Sequence, residues 1–143
     1  TDVTALIGAM DETFKWALFD RPPLARWSVG RVTLLGDSCH AMLPMMAQGA
    51  AQSIEDGATL GAVLRGIETN NVVAALARYQ DLRLPRASRL QAMSRANKTN
   101  FHLPDGPAQI ERDGKMTSGT TDWAAGSTAW LYDHDAGVLP ASS

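Results

Sequence analysis

Apolar side chains recur along much of this chain at intervals of three and four residues, which is the period of an amphipathic helix. The pattern predicts long helices over residues 1–16, 50–64 and 72–97. Pro85 lies inside the third helix, where it removes one backbone donor and crowds the preceding turn. We therefore expect the helix to be kinked at Pro85 or split in two.

Two short apolar runs depart from this period and predict strands. Residues 31–35, rich in Val, Thr and Leu, predict a buried strand that follows a turn at residues 28–30. Residues 16–19 predict an edge strand that ends before Pro22 and Pro23, because proline cannot donate to a sheet ladder. We therefore expect an α/β fold that is predominantly helical, with one or two short strands.

The helix predicted over residues 50–64 carries a narrow apolar stripe, which we expect to pack against a sheet. The stripe consists of Ala47, Ala51, Ile54, Ala58, Gly61 and Leu64. Glu55 and Asp56 lie in the first half of the helix, where negative charge suits the helix dipole. We expect Asp56 to be solvated or to act as a cap, with a supporting role beside a ligand as the alternative.

The chain changes character near its end. Residues 99–143 are rich in Gly, Pro and Asp, which indicates turns around two short helices near residues 108–116 and 122–132. Three large aromatic residues are expected to anchor this tail on the rest of the fold: Trp123, Trp130 and Tyr132.

Composition and charge exclude several classes of function. Hydrophobic residues make up 45% of the chain and charged residues 20%, which is ordinary for a globular protein, and the net charge of −2 gives no basis for binding nucleic acid or an anionic membrane. The arginines of residues 78–95 are expected to form salt bridges or a solvated face. No apolar run approaches a membrane span, and residues 1–16 show no signal-peptide pattern. Cys39 is the only cysteine, so we expect no internal disulfide and a cytoplasmic location.

A turn-rich segment joins the predicted strand to the predicted helix, and this order builds ligand sites in α/β proteins. The segment reads G-D-S-C-H-A-M-L-P-M-M-A-Q-G-A over residues 36–50, followed by I-E-D-G-A. It closely resembles the second flavin-binding motif of class A FAD-dependent aromatic hydroxylases, the family of salicylate and hydroxybenzoate hydroxylases. The departures are small: Gly57 stands where the family usually has alanine, and Ser38 and Cys39 replace commoner alanines.

The resemblance implies a C-terminal fragment of a Rossmann-like FAD-binding domain of the hydroxybenzoate hydroxylase type. The glycine fingerprint G-x-G-x-x-G, which holds the dinucleotide pyrophosphate, does not occur in this sequence. We therefore expect an incomplete FAD site and a missing N-terminal FAD-binding portion. Residues 1–29 are interpreted as the end of a substrate-domain segment with its crossover, 30–98 as the C-terminal half of the FAD-binding domain, and 99–143 as a C-terminal tail.

The resemblance also implies roles for individual residues toward FAD. Asp37 would accept hydrogen bonds from ribityl hydroxyls, with an Asx-turn or helix cap as the structural alternative. The first helical amides would point at the pyrimidine edge of the flavin, and Gly49 would let the backbone approach it closely. The full set of cofactor-binding candidates is Gly36, Asp37, Pro44, Ala47, Gln48, Gly49 and Ala50.

Pro44 and His40 are the two candidates for a catalytic role. By resemblance, the Pro44 loop passes beside the flavin ring, where its carbonyl would orient the substrate; simple packing in a turn is the alternative. His40 could act as a general base near neutral pH, but we prefer a hydrogen-bonding role that stiffens the loop. His40, His102 and His134 lack ligand-like spacing, so we predict no metal site.

For the full enzyme, the resemblance implies an FAD-dependent monooxygenase that hydroxylates a salicylate- or hydroxybenzoate-like aromatic substrate with NAD(P)H and dioxygen. The isolated chain is predicted to be inactive. The alternative is a non-enzymatic helical fragment that acts as an association module, because a truncated domain leaves apolar surface uncovered. A homo-oligomer is compatible with both interpretations. A cysteine hydrolase using Cys39 and His40 is disfavoured, because adjacent side chains rarely aim at each other.

Overall fold

The computed structural model describes residues 2–118 and 125–141. Regular structure in these residues comprises six helices and two strands: α1 (Asp2–Gly8), β1 (Ser28–Val29), β2 (Val32–Thr33), α2 (Asp37–His40), α3 (Gly49–Leu64), α4 (Val72–Phe101), α5 (Pro107–Thr117) and α6 (Ala125–Tyr132). Two 3₁₀ turns, Pro44–Met46 and Thr69–Asn71, precede α3 and α4. The prediction of a mainly helical chain with one or two short strands is confirmed for the described residues.

Helix α4 is the central element, and α3 packs along it. Its 30 residues run without interruption through Pro85, so the predicted split is wrong. The Pro85 side chain is exposed, and the helix is anchored by buried residues on both sides of it, Tyr79 before and Leu90 after. Tertiary packing of the helix on both sides of Pro85 therefore offsets the loss of the one backbone hydrogen bond that proline removes.

The apolar core lies along the buried face of α4 in two clusters. The first consists of Trp27, Cys39, Val63, Tyr79 and Ala87. The second consists of Met46, Leu90 and Leu131. The apolar period that predicted a helix over residues 72–97 corresponds to a buried face, which includes Leu76, Tyr79, Ala87 and Leu90. This face therefore places α4 between the hairpin, α3 and the C-terminal segment.

The two strands form an antiparallel hairpin in which Ser28 pairs with Thr33. Gly30 has a φ of 56° and makes the tight turn between them. The predicted strand 31–35 is thus reduced to two residues, and its partner occupies the predicted turn at 28–30. The strand is not buried, since Val32 is 67% exposed. The other predicted strand, residues 16–19, has no strand structure, because no further strand pairs with it in the described part of the chain.

The N-terminal segment leaves its apolar side chains in solvent. Helix α1 covers only the first half of the helix predicted over residues 1–16 and buries none of its residues. The exposed large apolar side chains of this segment are Val3, Leu6, Ile7, Met10, Phe14, Trp16, Leu18 and Phe19. Nothing among the described residues covers this surface, so the amphipathic pattern here has no core to pack against.

Helix α3 buries its polar face instead of the predicted apolar stripe. Its buried residues are Gln52, Asp56, Thr59 and Val63. Ile54, from the predicted stripe, is 73% exposed. The stripe prediction is therefore wrong in this structure, because α4 and the preceding loop offer polar partners to α3 and no sheet covers its other face.

The C-terminal segment is held on α4 mainly through its main-chain carbonyls. Arg86 donates to the carbonyls of Trp130 at 2.7 Å and Leu131 at 2.8 Å, and Arg78 donates to that of Pro140 at 2.7 Å. The guanidinium of Arg89 lies 3.6 Å from the ring centroid of Trp130. The anchoring role of Trp130 is therefore confirmed. The bonds of Arg78 and Arg86 to main-chain carbonyls are not among the predicted roles of the arginines, which are salt bridges or a solvated face.

The other two predicted anchors of the tail have different outcomes. Tyr132 is 65% exposed, so it does not anchor the segment. Leu131, 4% exposed, fills that place in the second core cluster because the end of α6 turns it inward. Trp123 lies outside the described residues.

Within residues 2–118 and 125–141, no helix combines the length and the apolarity that crossing a bilayer requires. Helix α4 is long enough but carries arginines throughout. The cytoplasmic location and the division of the chain into three segments stay predictions.

Candidate functional site

The candidate site begins at Gly36, the first residue of the resembled motif. Its φ is 64°, and a Cβ at this position would lie 2.9 Å from Ser53 Oγ in α3. Both facts require glycine, because an L side chain is strained at this φ and would collide with Ser53. The loop therefore lies directly against the first turns of α3.

Asp37 follows Gly36 at the start of the short helix α2 and points into solvent. Its carboxylate has no hydrogen-bond partner within the described parts of the chain. The loop around it is fixed instead by Ser38, whose hydroxyl donates to the carbonyl of Leu35 at 2.7 Å, and by Arg21, which donates to the carbonyl of Ser38 at 3.1 Å. Asp37 is thus a free acceptor on a fixed backbone.

Behind this loop lies a fully buried carboxylate, Asp56 of α3. One of its oxygens accepts hydrogen bonds from the Gly36 backbone N–H at 2.9 Å and from His40 Nε2 at 2.6 Å. Burial alone would raise the pKa of Asp56, but the hydrogen bonds from His40, Arg83 and Gly36 outweigh it and hold the pKa below its usual value. Asp56 is therefore an ionised hub and not the solvated or capping residue that we expected.

Arg83 of α4 closes the network on the other side. Its Nε donates to the second oxygen of Asp56 at 2.8 Å and its Nη1 donates to Glu55 at 2.5 Å. Nη2 donates to both the backbone carbonyl and the side-chain oxygen of Gln52. One guanidinium thus binds three residues of α3 that span little more than one helical turn, a geometry suited to arginine's planar fork of donors.

Glu55 is shared between two arginines. Arg86 donates to both of its oxygens, at 2.7 and 2.9 Å, in addition to the bond from Arg83. Burial would raise the pKa of Glu55, but Arg86 and Arg83 hold it below its usual value. The adjacent carboxylates of α3 are therefore both ionised and paired, yet only Asp56 contacts the loop.

His40 is completely buried beside the ring of Trp27, at a centroid distance of 5.4 Å. Its Nε2 is committed to Asp56, and its Nδ1 has no hydrogen-bond partner in the described structure. A general base must reach a substrate proton. This environment favours the interpretation that His40 stiffens the loop.

Cys39, His40 and Asp56 present potential ligand atoms within 4.8 Å of one another. Burial, aided by the charge of Asp56, raises the pKa of the Cys39 thiol to about 12, so the thiolate that a metal or a nucleophilic mechanism needs is disfavoured. The Cys39 thiol donates a hydrogen bond to the Gly36 carbonyl, and the Asp56 carboxylate already accepts one from Arg83. The chemistry of this cluster is that of a hydrogen-bonded network, and the absence of a metal site stays a prediction.

The loop enters α3 through the 3₁₀ turn Pro44–Met46. Pro44 is exposed, whereas Met46 is buried in the second core cluster. Ala47 follows with a φ of 51°, a left-handed conformation that is uncommon for a residue with a side chain, and its N–H donates to the Pro44 carbonyl at 3.0 Å. Strained backbone of this kind concentrates at functional sites.

Helix α3 begins without a side-chain cap. Gln48 is its N-cap residue and makes no capping hydrogen bond. The N–H groups of Gly49, Ala50 and Ala51 therefore have no partner within the helix and carry partial positive charge. A Cβ on Gly49 would meet only Met42 Cγ, at an ordinary 3.9 Å. Packing within the described chain thus does not require glycine at this position.

Sequence comparison adds to this geometry. The FAD-binding domain family matches residues 4–94. The chain belongs to the FAD-binding domain family. The match includes the whole loop from Gly36 to Gly49 and most of α4. Together with the monooxygenase relatives and the salicylate hydroxylase structure described next, it confirms the predicted resemblance to salicylate hydroxylase-like flavoprotein monooxygenases.

Two of the relatives that this chain matches are bacterial monooxygenases. It is 46% identical over 136 residues to the 3-amino-4-hydroxybenzoate 2-monooxygenase PtnB3 of Streptomyces platensis, covering 95% of this chain and 33% of the relative. It is 50% identical over 95 residues to the 6-hydroxynicotinate 3-monooxygenase of Pseudomonas fluorescens, covering 66% of this chain and 25% of the relative. The chain therefore spans between a quarter and a third of the length of these relatives.

A solved structure shows the same relationship for the fold. The substrate complex of salicylate hydroxylase superposes with a TM-score of 0.73 at 31% sequence identity, covering 90% of this chain and 32% of that one. The fold of this chain thus corresponds to about one third of the salicylate hydroxylase chain.

The sequence-predicted candidates lie on one continuous loop, residues 36–50, which the structure folds over the start of α3. Sequence reasoning missed Gln52 and Arg83 as parts of the network behind it. One signal was present: Arg83 occupies a position in the apolar stripe of α4, where an arginine needs a buried partner.

Proposed function

We propose that this chain supplies the ribityl and flavin-ring side of the FAD site in an FAD-dependent monooxygenase that hydroxylates an aromatic substrate. The observation that carries the proposal is the uncapped first turn of α3, which directly follows the matched loop. Unpartnered helical amides with partial positive charge suit an electron-rich ligand edge. FAD would supply the redox chemistry of this reaction, with NAD(P)H as the electron donor.

The amides of Gly49 and Ala50 would lie at the pyrimidine edge of the flavin. Donors held in place before the reaction stabilise developing negative charge without reorganising, which is typically the largest electrostatic contribution of an active site. Gly49 supports this placement, because neither its conformation nor its packing in the described chain requires glycine. A ligand that approaches the backbone closely accounts for it.

Asp37 would accept hydrogen bonds from the ribityl hydroxyls. Its support is its exposed carboxylate on a backbone fixed by Gly36 and Ser38. A charged acceptor binds a hydroxyl more strongly than a neutral one. The exposed Pro44 and the strained Ala47 would border the flavin ring and its substrate, with Gln48 positioning the helix start.

The same proposal accounts for the uncovered apolar surface. The side chains of residues 3–19 and Ile54 of α3 are exposed in this chain. We propose that they pack against the rest of a longer flavoprotein, which carries the pyrophosphate site and completes the Rossmann-like sheet. The isolated chain would then be inactive. The alternative, an association module without catalysis, rests on this same exposed surface.

A chimera tests the function. This chain replaces the matching third of PtnB3, and FAD binding is followed by flavin absorbance and fluorescence quenching, with NAD(P)H oxidation in the presence of 3-amino-4-hydroxybenzoate as the second measurement. Stoichiometric binding of FAD and oxidation of NAD(P)H that depends on the substrate support the proposal. A soluble, folded chimera that fails to bind FAD overturns it, and PtnB3 itself is the control.

The isolated chain provides the complementary test. Titration of the 143-residue chain with FAD is expected to show no stoichiometric binding. Stoichiometric binding by the chain alone would contradict the half-site proposal, and the binding stoichiometry measured by sedimentation would then show whether two copies build the site together.

A further inference from the structure

We infer that Asp56 is a positioning residue that fixes the two halves of the proposed flavin site relative to each other. One half is the loop at Gly36 and Asp37, and the other is the first turn of α3. This inference rests on the proposed function and extends it to a side chain that touches neither flavin nor substrate.

The connection is direct and short. Asp56 belongs to α3, yet its carboxylate accepts from the backbone N–H of Gly36 at 2.9 Å, across 20 residues of sequence. Gly36 is the residue immediately before Asp37, so this bond sets the backbone from which the proposed ribityl acceptor projects. Because the helix is rigid, the same bond sets the distance from that acceptor to the amides at the helix start.

The carboxylate is itself immobilised from two other directions. His40 holds the oxygen that binds Gly36, and Arg83 holds the second oxygen from α4. All three side chains are at most 1% exposed. A buried carboxylate that accepts from three donors has one low-energy orientation. The position of the loop is therefore set by α4 as well as by α3.

Glu55 provides a matched control for this role. It is the neighbouring carboxylate on the same helix, and it is also paired with Arg83, but it makes no hydrogen bond to the loop. Asp56→Asn and Glu55→Gln each remove one paired charge from the same network. Asp56→Asn leaves one oxygen where two accepted, so the Gly36 N–H and the Arg83 Nε compete for it, whereas Glu55→Gln leaves the acceptor of Gly36 unchanged.

The first test uses amide hydrogen exchange of the 143-residue chain, read at Gly36 and at core amides of α4. Asp56→Asn is expected to raise the exchange rate of Gly36 at least tenfold more than that of the α4 amides. Glu55→Gln is expected to change both by similar factors. Equal effects of the two variants on Gly36 would overturn the inference.

The second test does not depend on a variant that folds. In the unaltered chain, a through-hydrogen-bond scalar coupling between the Gly36 amide nitrogen and the Asp56 carboxyl carbon is expected in NMR spectra. A Gly36 amide that exchanges as fast as an unstructured one, with no such coupling, would overturn the inference.

The third test connects positioning to the cofactor. In the PtnB3 chimera, Asp56→Asn is expected to weaken FAD affinity at least tenfold, and Glu55→Gln less than threefold, at temperatures where both variants remain folded by circular dichroism. If the unaltered chimera binds no FAD, the proposed function fails while the exchange result at Gly36 stands. If the unaltered chimera binds FAD and the Asp56→Asn chimera binds FAD equally well, the positioning role of Asp56 is overturned while the proposed function stands.

Discussion

Asp56 and Arg83 lie on different helices, 27 residues apart in sequence, and their side chains meet at 2.8 Å with 0% and 1% of their surfaces exposed. This pair is the polar centre of the α3–α4 contact. A buried ion pair stabilises little compared with a well-packed apolar pair, but removing one partner strands the other charge in a low-dielectric interior. The free energy of unfolding is therefore expected to fall far more when one member of the pair is replaced than when both are replaced together by apolar residues.

Arg83→Met is expected to lower the free energy of unfolding by about 3 kcal/mol, because Asp56 and Gln52 both lose their charged donor. Urea denaturation followed by circular dichroism measures the change. The control is Arg65→Met, which alters an exposed arginine and is expected to change stability by less than about 0.5 kcal/mol. Equal losses in both variants would show that the buried network contributes nothing specific.

Acid is expected to destabilise the chain through the same carboxylates. The folded pKa values of Asp56 and Glu55 are lowered, so their stabilising contribution is complete above the unfolded values of about 4 and is lost as pH falls through the folded values. The urea midpoint should therefore drop steeply below about pH 4. Asp56→Asn should flatten part of this drop, and Asp81→Asn, at an exposed position of α4, should leave it unchanged.

The thiol of Cys39 is expected to be unreactive in the folded chain. Its pKa is raised to about 12 by burial and by the charge of Asp56, and its surface is 0% exposed. A chromogenic disulfide reagent at pH 8 should release no thiolate product from the native chain and one equivalent after unfolding in urea. Rapid labelling of the native chain would contradict the burial of this side chain.

Gly36→Ala and Gly49→Ala are expected to have opposite consequences. Gly36→Ala should destabilise the chain by about 2 kcal/mol, because the left-handed φ and the clash with Ser53 both oppose a side chain. Gly49→Ala should leave the urea midpoint unchanged or raise it, since alanine favours the helix. In the PtnB3 chimera, Gly49→Ala should nevertheless weaken FAD binding about tenfold. Unchanged FAD affinity would remove the argument for a close approach at this residue.

The loop that carries the candidate residues is easier to recognise in the sequence than the buried faces of the elements around it. The loop from Gly36 to Gly49 carries its own conformational requirements, such as the left-handed glycine, and these are local enough to be recognised from residue order. The apolar period of α4 is also predictive, because the helix is packed against other elements from Ala75 to Ser94. The apolar stripe of α3 predicts the wrong buried face, since Ile54 faces a surface that nothing in the described chain covers.

Asp56 shows why the polar network could not be predicted. A carboxylate near a helix start is most often solvated, and its burial here depends on donors that lie 20 residues before it and 27 after it. Periodicity within one helix contains no information about such partners. The arginine in the buried stripe of α4 is the one local sign that a buried acceptor exists.

The attachment of the C-terminal segment has a consequence for how its sequence can diverge. Arg78 and Arg86 bind the carbonyls of Pro140, Trp130 and Leu131, and Thr59 binds that of Ala136. A main-chain carbonyl is present whatever the side chain. Outside Trp130, Leu131, Ala136 and Leu139, whose side chains pack in or against the core, the segment can therefore exchange residues over evolutionary time and remain attached, while the receiving positions on α3 and α4 cannot change freely.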